Sequence, residues 1–94
     1  MFYRSADILI TSTHVLVLQP DLQPDPIRFR LEGIQAPYIV RHGWGAGFRA
    51  GHEIRARYET ADVRIFYTTN RATFGAVRRA LIRALEQRAN PLPI

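Results

Sequence analysis

The sequence predicts an α+β domain, about seven short antiparallel strands followed by one C-terminal helix. Three observations predict it. Only residues 71–89 (RATFGAVRRALIRALEQRA) carry a helix-period apolar pattern. Upstream, apolar residues recur at every second position or in brief β-branched runs. The connections between those runs are short, which favours antiparallel neighbours. A series of strands followed by a helix belongs to the α+β class and not to a βαβ fold.

The strands follow in order. Residues 2–4 (FYR) form a short first strand. Residues 7–11 (DILIT) and 14–18 (HVLVL) make a hairpin around Ser12-Thr13. Residues 19–26 (QPDLQPDP) are an exposed loop, because proline fixes φ and donates no hydrogen bond. In residues 27–31 (IRFRL), Ile27, Phe29 and Leu31 face one way and Arg28 and Arg30 the other. Glu32-Gly33 turns the chain, and Ile34 is an apolar plug. Residues 37–42 (PYIVRH) are the next strand. Residues 43–51 (GWGAGFRAG) are too rich in glycine for a strand interior and read as a flexible connection carrying two aromatics. Residues 53–59 (EIRARYE) alternate again, with Ile54, Ala56 and Tyr58 inward and Arg55 and Arg57 outward. Thr60-Ala61-Asp62 turns the chain into the last strand, residues 63–68 (VRIFYT).

The helix is justified by spacing. Phe74, Val77, Leu81 and Leu85 fall on one side, bordered by Ala80 and Ala84. Arg71, Arg79, Arg83 and Glu86 fall mainly on the other. Asn70, or Thr69 before it, supplies the N-cap, and Asn90-Pro91 stops the helix. A stripe of this width requires a partner surface, which only the strands can supply. The run is too short for a coiled coil, which needs about three heptads or more. A basic polar face is also the mark of a membrane-surface helix, so that reading stands as an alternative to burial.

A chain of 94 residues is read as one domain spanning residues 1–94. It contains no cysteine, which excludes disulfides and cysteine-based zinc sites. The formal charge is +5, and all 13 basic residues are arginine. Arginine grips carboxylate and phosphate in bidentate fashion, so the excess raises an anion-binding surface beside the plainer cause of a coding bias. Apolar runs are too short for a transmembrane segment, and no signal-peptide h-region follows Met1. A cytoplasmic protein is expected.

Four pieces together resemble the pleckstrin-homology-like (PH-like) superfold, and more narrowly small bacterial PH-like families of unknown function. They are FYRSADILITSTHVLVL, IRFRLEGI, the EIRARYE–VRIFYT hairpin and NRATFGAVRRALIRALE. The resemblance covers most of the chain. It implies an antiparallel β-sandwich or partly open barrel of about seven strands, its two sheets nearly orthogonal, with the helix capping one open end. Some bacterial relatives carry a long hydrophobic insert where this chain has only GWGAGFRAG, so their membrane attachment does not carry over. Lipid-binding members use a basic cluster in the first hairpin loop, where this chain has Ser12-Thr13. The superfold implies a binding scaffold and no catalytic residue.

The residues themselves point the same way. No nucleophile elbow surrounds Ser5 or Ser12. His14, His42 and His52 lack metal-ligand spacing, and a site would need two of them to converge with a carboxylate such as Glu53. His42 and His52 flank the glycine stretch, where they could titrate together. Gly45 to Ala50 matches a Gly-x-Gly-x-x-Ala string, but a strand follows it where a dinucleotide site needs a helix. Hence no catalytic residue, metal or cofactor is assigned.

Trp44 and Phe48, beside Arg41 and Arg49, have the composition of interaction hot spots, with a core lid as the other reading of Trp44. The expected function is a non-catalytic interaction module. Tyr38, Val40, Arg41, Trp44, Phe48 and Arg49 would bind a protein or peptide partner, with self-assembly through the same sheet edge. The alternative is an arginine-rich binder of nucleic acid or an anionic surface. It would use Arg28, Arg30, Arg55, Arg57 and Arg64 on the strands and Arg78, Arg79 and Arg83 on the helix. Interspersed Glu32, Glu53, Glu59 and Glu86 weigh against that alternative.

Overall fold

A computed structural model describes residues 1–19, 25–43 and 51–89. Within these residues the chain forms seven strands and one helix: β1 (Tyr3–Arg4), β2 (Ile8–Ile10), β3 (His14–Val17), β4 (Ile27–Arg30), β5 (Ile34–His42), β6 (Gly51–Tyr58), β7 (Ala61–Thr68) and α1 (Arg71–Ala89). A single 3-10 turn, Leu31–Gly33, joins β4 to β5. The strands form two antiparallel sheets, one ordered β1-β2-β3-β4 and the other β5-β6-β7. The expected α+β class and strand number are therefore observed, as two separate sheets and not as a closed barrel.

Alternation, broken in β7 by an irregularity that buries both Ile65 and Phe66, puts one face of each sheet in the core. Ile8, Ile10, Val15, Val17 and Phe29 come from the four-stranded sheet, and Ile54, Ala56, Ile65 and Phe66 from the three-stranded sheet. The helix adds Phe74, Val77, Ala80, Leu81 and Ala84, with Leu85 partly buried against them. These side chains form one contiguous cluster, so α1 touches both sheets. Each fully buried aliphatic or aromatic side chain contributes about 1.5–3 kcal/mol, and in so small a chain few are dispensable. The stripe is thus core, which settles against a membrane-surface role for those residues.

Local chemistry fixes the joints. Thr11 Oγ1 accepts the backbone N–H of Thr13 and of His14 at 3.2 and 3.0 Å, which closes the β2–β3 turn without glycine. The β6–β7 turn is tighter than residues 60–62 suggested. Tyr58 pairs directly with Ala61, leaving Glu59-Thr60 as the loop, with Glu59 at φ 59. The β5 strand starts earlier than expected, at Ile34, and tolerates Pro37 through a register shift between Gln35 and Tyr38 where Ala36 takes φ 50. Proline and bulges of this kind are confined to edge strands. Gly51 belongs to β6 and not to the connection, because the Tyr67 hydroxyl lies 2.6 Å from where its Cβ would stand. The expected loop at residues 19–26 and the glycine stretch fall largely outside the described residues.

The helix N-terminus is capped as the sequence indicated, with Thr73 N–H donating to Asn70 Oδ1 at 2.9 Å. Asn70→Ala is expected to lower stability by about 1 kcal/mol, measured as a shift in the urea midpoint with unchanged m-value. An unchanged midpoint would remove the cap from the account.

Candidate functional site

Edge strands decide where another chain can pair, so the site begins with the fate of each edge. The β7 edge is closed at Tyr67, whose N–H donates to Gln19 Oε1 at 3.3 Å and whose carbonyl accepts from Gln19 Nε2 at 2.7 Å. The Gln19 amide thus imitates a neighbouring strand. The β4 edge is met by Tyr58, whose hydroxyl accepts the Arg30 N–H at 3.1 Å. The outer strand β1 is only 2 residues long. The remaining edge, β5, is 9 residues long. Its first half is blunted by the Ala36-Pro37 irregularity, while residues 38–42 pair regularly with β6 on their inner side.

Behind that regular half lies a groove between β5 and α1. It is lined by Pro37, Tyr38, Ile39, Ile54, Arg78, Leu81 and Ile82, with a volume of about 160 Å³. Its character is apolar. Ile39 stays 39% exposed and Tyr38 45% exposed, and with Met1 they are the exposed large hydrophobic side chains among the described residues. The groove exists because the core stripe of α1 docks through Leu81 while its neighbours Arg78 and Ile82, about 60–100° around the helix, overhang β5.

The outer face of the three-stranded sheet is polar and tied across all three strands. Cross-strand register places Tyr38 opposite Arg55 and Val40 opposite Glu53, then Arg55 opposite Arg64 and Glu53 opposite Tyr67. Glu53 is only 2% exposed. Its carboxylate accepts from Arg64 Nε, from Arg55 Nη1 at 3.3 Å and from His42 Nε2 at 3.2 Å. Arg55 also reaches Asp62 at 3.2 Å, and Asp62 accepts the Tyr38 hydroxyl at 2.8 and 2.9 Å. Two ladders therefore cross the sheet, His42–Glu53–Arg64 and Tyr38–Arg55–Asp62, joined where Arg55 bridges the two carboxylates. The Arg64 guanidinium also lies over the Tyr67 ring, 5.6 Å from its centroid.

The electrostatics follow from this geometry. Burial would push the Glu53 carboxyl up, but hydrogen bonds from Arg64 and His42 and the charges of Arg64 and Arg55 outweigh it and hold it below the usual carboxylate range. The Tyr38 hydroxyl is held above the usual phenol range, chiefly by its hydrogen bond to Asp62.

Of the sequence-predicted site residues, Tyr38, Val40 and Arg41 stand on the regular half of β5. Tyr38 and Val40 share the outer face, while Arg41 shares the groove-side face with Ile39. Trp44, Phe48 and Arg49 lie outside the described residues. The two histidines flanking the glycine stretch fall on opposite faces of the sheet. His42 reaches Glu53 on the outside, whereas His52 packs its ring on Phe74 at 4.8 Å, with a buried Nδ1 that has no hydrogen-bond partner among the described residues. The two rings flanking the glycine stretch therefore do not face each other. Their convergence with Glu53 on a metal does not occur either. Sequence reasoning missed the buried state of Glu53, the Asp62 anchor and the Gln19 clamp. Only the cross-strand register reveals them.

Arg28 and Arg30 project from one sheet and Arg55, Arg57 and Arg64 from the other, so the strand arginines do not form one basic face. Comparison with protein-family models, with curated proteins and with solved structures gave no match. Among the described residues no helix is long and apolar enough to cross a membrane.

Because the folded state holds Glu53 below its unfolded value, its contribution is complete above the ordinary carboxylate range and is lost as pH falls through the depressed value. Glu53→Gln is therefore expected to flatten the acid limb of the stability–pH profile. Arg64→Met, which strands a buried carboxylate, is expected to cost about 2 kcal/mol more at pH 7 than it costs in the Glu53→Gln background. Chemical denaturation of the four proteins across pH 3–8 checks both, and additive costs would contradict the clamp.

Proposed function

We propose that the chain is a non-catalytic, PH-like interaction module that takes an extended segment of a protein partner as an added strand on β5. The observation that carries this reading is the conjunction of an unblunted edge at residues 38–42 with an apolar groove directly behind it. In such strand addition, main-chain hydrogen bonds supply affinity, and pockets for alternate side chains supply specificity. Here Tyr38, Val40 and Arg41 would frame the added strand. The PH-like reading is supported by the order of strands then helix and by the helix touching both sheets.

The same edge suits a second copy of the chain, whose β5 would continue the sheet antiparallel. The reading as a general binder of nucleic acid draws less support. Arg30, Arg55, Arg64 and Arg88 are engaged by Glu32, Glu53, Glu59 and Asp62. Against catalysis stands the state of the buried carboxylate, whose oxygens are already taken by Arg64, Arg55 and His42.

Selection from a displayed library of random peptides on the immobilised chain tests the proposal. Enriched peptides are expected to alternate apolar residues and to lose at least about tenfold in affinity with Ile39→Asp, as for an anchor worth about 1.4 kcal/mol. Binders indifferent to that substitution, or no binders, would contradict the groove. Light scattering at rising concentration separates self-assembly, since a monomer throughout removes the second copy as the occupant.

A further inference from the structure

Which segment the groove would take is decided by the arginines around it. Among the described residues some arginines are spent on carboxylates, and others are not, Arg28 and Arg57 on the strands and Arg79 and Arg83 on the helix among them. Arg30, Arg55, Arg64 and Arg88 each hold a carboxylate. Arg41, Arg71 and Arg78 are exposed and have no hydrogen bond or ion pair among the described residues. Arg78 lines the groove, and strand register and helix spacing bring Arg41 and Arg71 toward the same end of it.

The convergence follows from the direction of the two elements. His52, at the start of β6 and opposite Arg41, packs on Phe74 in the first turn of α1. Arg88, at the end of α1, pairs with Glu32 at 3.0 Å, just before β5 begins. The helix therefore runs antiparallel to β5. On α1, Arg71 and Arg78 are seven residues apart, which is about two turns, so both lie on the flank that carries Ile82 and overhangs the groove. On β5, Arg41 follows Ile39 at the strand period and shares its groove-side face. Pro37, Ile39, Leu81 and Ile82 thus make the groove apolar with Arg78 beside them, and Arg41 and Arg71 extend the positive charge beyond that end. Glu86, the sole acidic residue of α1, stands more than two turns from Arg78 toward the opposite, C-terminal end. The N-terminal end of the helix macrodipole adds to the positive field at the Arg71 end.

We infer that the groove's occupant is an acidic extended peptide, with apolar side chains over Ile39 and Ile82 and carboxylates at the Arg41–Arg71–Arg78 end. This rests on the strand-addition reading and adds the partner's charge to it. A nucleic acid would meet the same arginines but would gain little from Pro37, Ile39 and Ile82; among the described groove residues Tyr38 is the one aromatic ring, and its hydroxyl is tethered to Asp62 on the outer face.

Three fluorescein-labelled ten-residue peptides provide the probes, alternating valine with glutamate, with glutamine or with lysine, together with a short oligothymidylate. Binding is read by anisotropy at two salt levels and by backbone amide shifts of β5. The glutamate peptide is expected to bind roughly fivefold tighter than the glutamine peptide, a margin of two or three exposed ion pairs, and to lose that margin at high salt. The double variant Arg71→Glu, Arg78→Glu should reverse the order, preferring the lysine peptide. Both side chains are exposed, an acid at position 71 suits the macrodipole, and a native-like circular dichroism spectrum is required of the variant before its binding is read. Equal binding of the glutamate and glutamine peptides, with β5 shifts in both, would overturn the acidic preference and leave the groove reading standing. No β5 shift with any peptide would remove both. Tighter binding of the oligothymidylate than of the glutamate peptide would overturn the inference in favour of a nucleic acid.

Discussion

Two sheets that share no ladder must be held together by side chains, and the apolar stripe of α1 is what closes the space between them. Phe74, Val77 and Leu81 are buried against residues from both sheets. Ala80 and Ala84 carry no bulk and let the helix approach closely. The stripe covers only part of the helix circumference, so the flank beyond Leu81 cannot also reach the sheet. That geometric remainder is the groove. The binding surface is therefore a by-product of how an α-helix of this width sits on a three-stranded sheet, and its open side is wherever the sheet ends, at β5.

Electrostatics then sorts the arginines. A buried carboxylate such as Glu53 persists only when several donors converge on it, and β5, β6 and β7 each contribute one through His42, Arg55 and Arg64. This clamp fixes the register of the three strands on their outer face while the apolar residues fix it on the inner face. A one-residue slip would break both at once. The consequence for function is that the β5 edge is presented by a stiff sheet and not by a loop.

Much of this was legible in the sequence. The helix bounds, its buried stripe and its Asn70 cap follow from spacing and propensity alone, and IRFRL and EIRARYE declared their inner faces by alternation. Other features were not legible for identifiable reasons. Pro37 hid the start of β5, because a bulge lets an edge strand carry a proline that periodicity treats as a stop. Gly51 looked like part of a glycine-rich connection, whereas its missing side chain makes room for Tyr67. Glu53 stood at what seemed a strand end, and nothing local shows that Arg64, eleven residues away, comes to meet it. The outward arginines were seen correctly as outward, but pairing depends on cross-strand register. That Arg55 and Arg64 spend their charge on Glu53, while Arg28 and Arg57 hold no carboxylate among the described residues, could not be read from one strand at a time. Gln19 belonged to a proline-rich loop and gave no sign that its amide would close the β7 edge.

Strand addition depends on β5 being open at residues 38–42 while β7 is closed at Tyr67. Amide hydrogen exchange followed by NMR on the intact chain tests it directly. The account requires alternate amides among residues 38–42 to exchange fast, as unpaired edge donors do, while the Tyr67 amide, held by Gln19, is protected and becomes fast in Gln19→Ala. Uniform protection along residues 38–42 together with a fast Tyr67 amide would mean that the edges are the other way round, and the groove would lose its claim as the place where a partner strand adds.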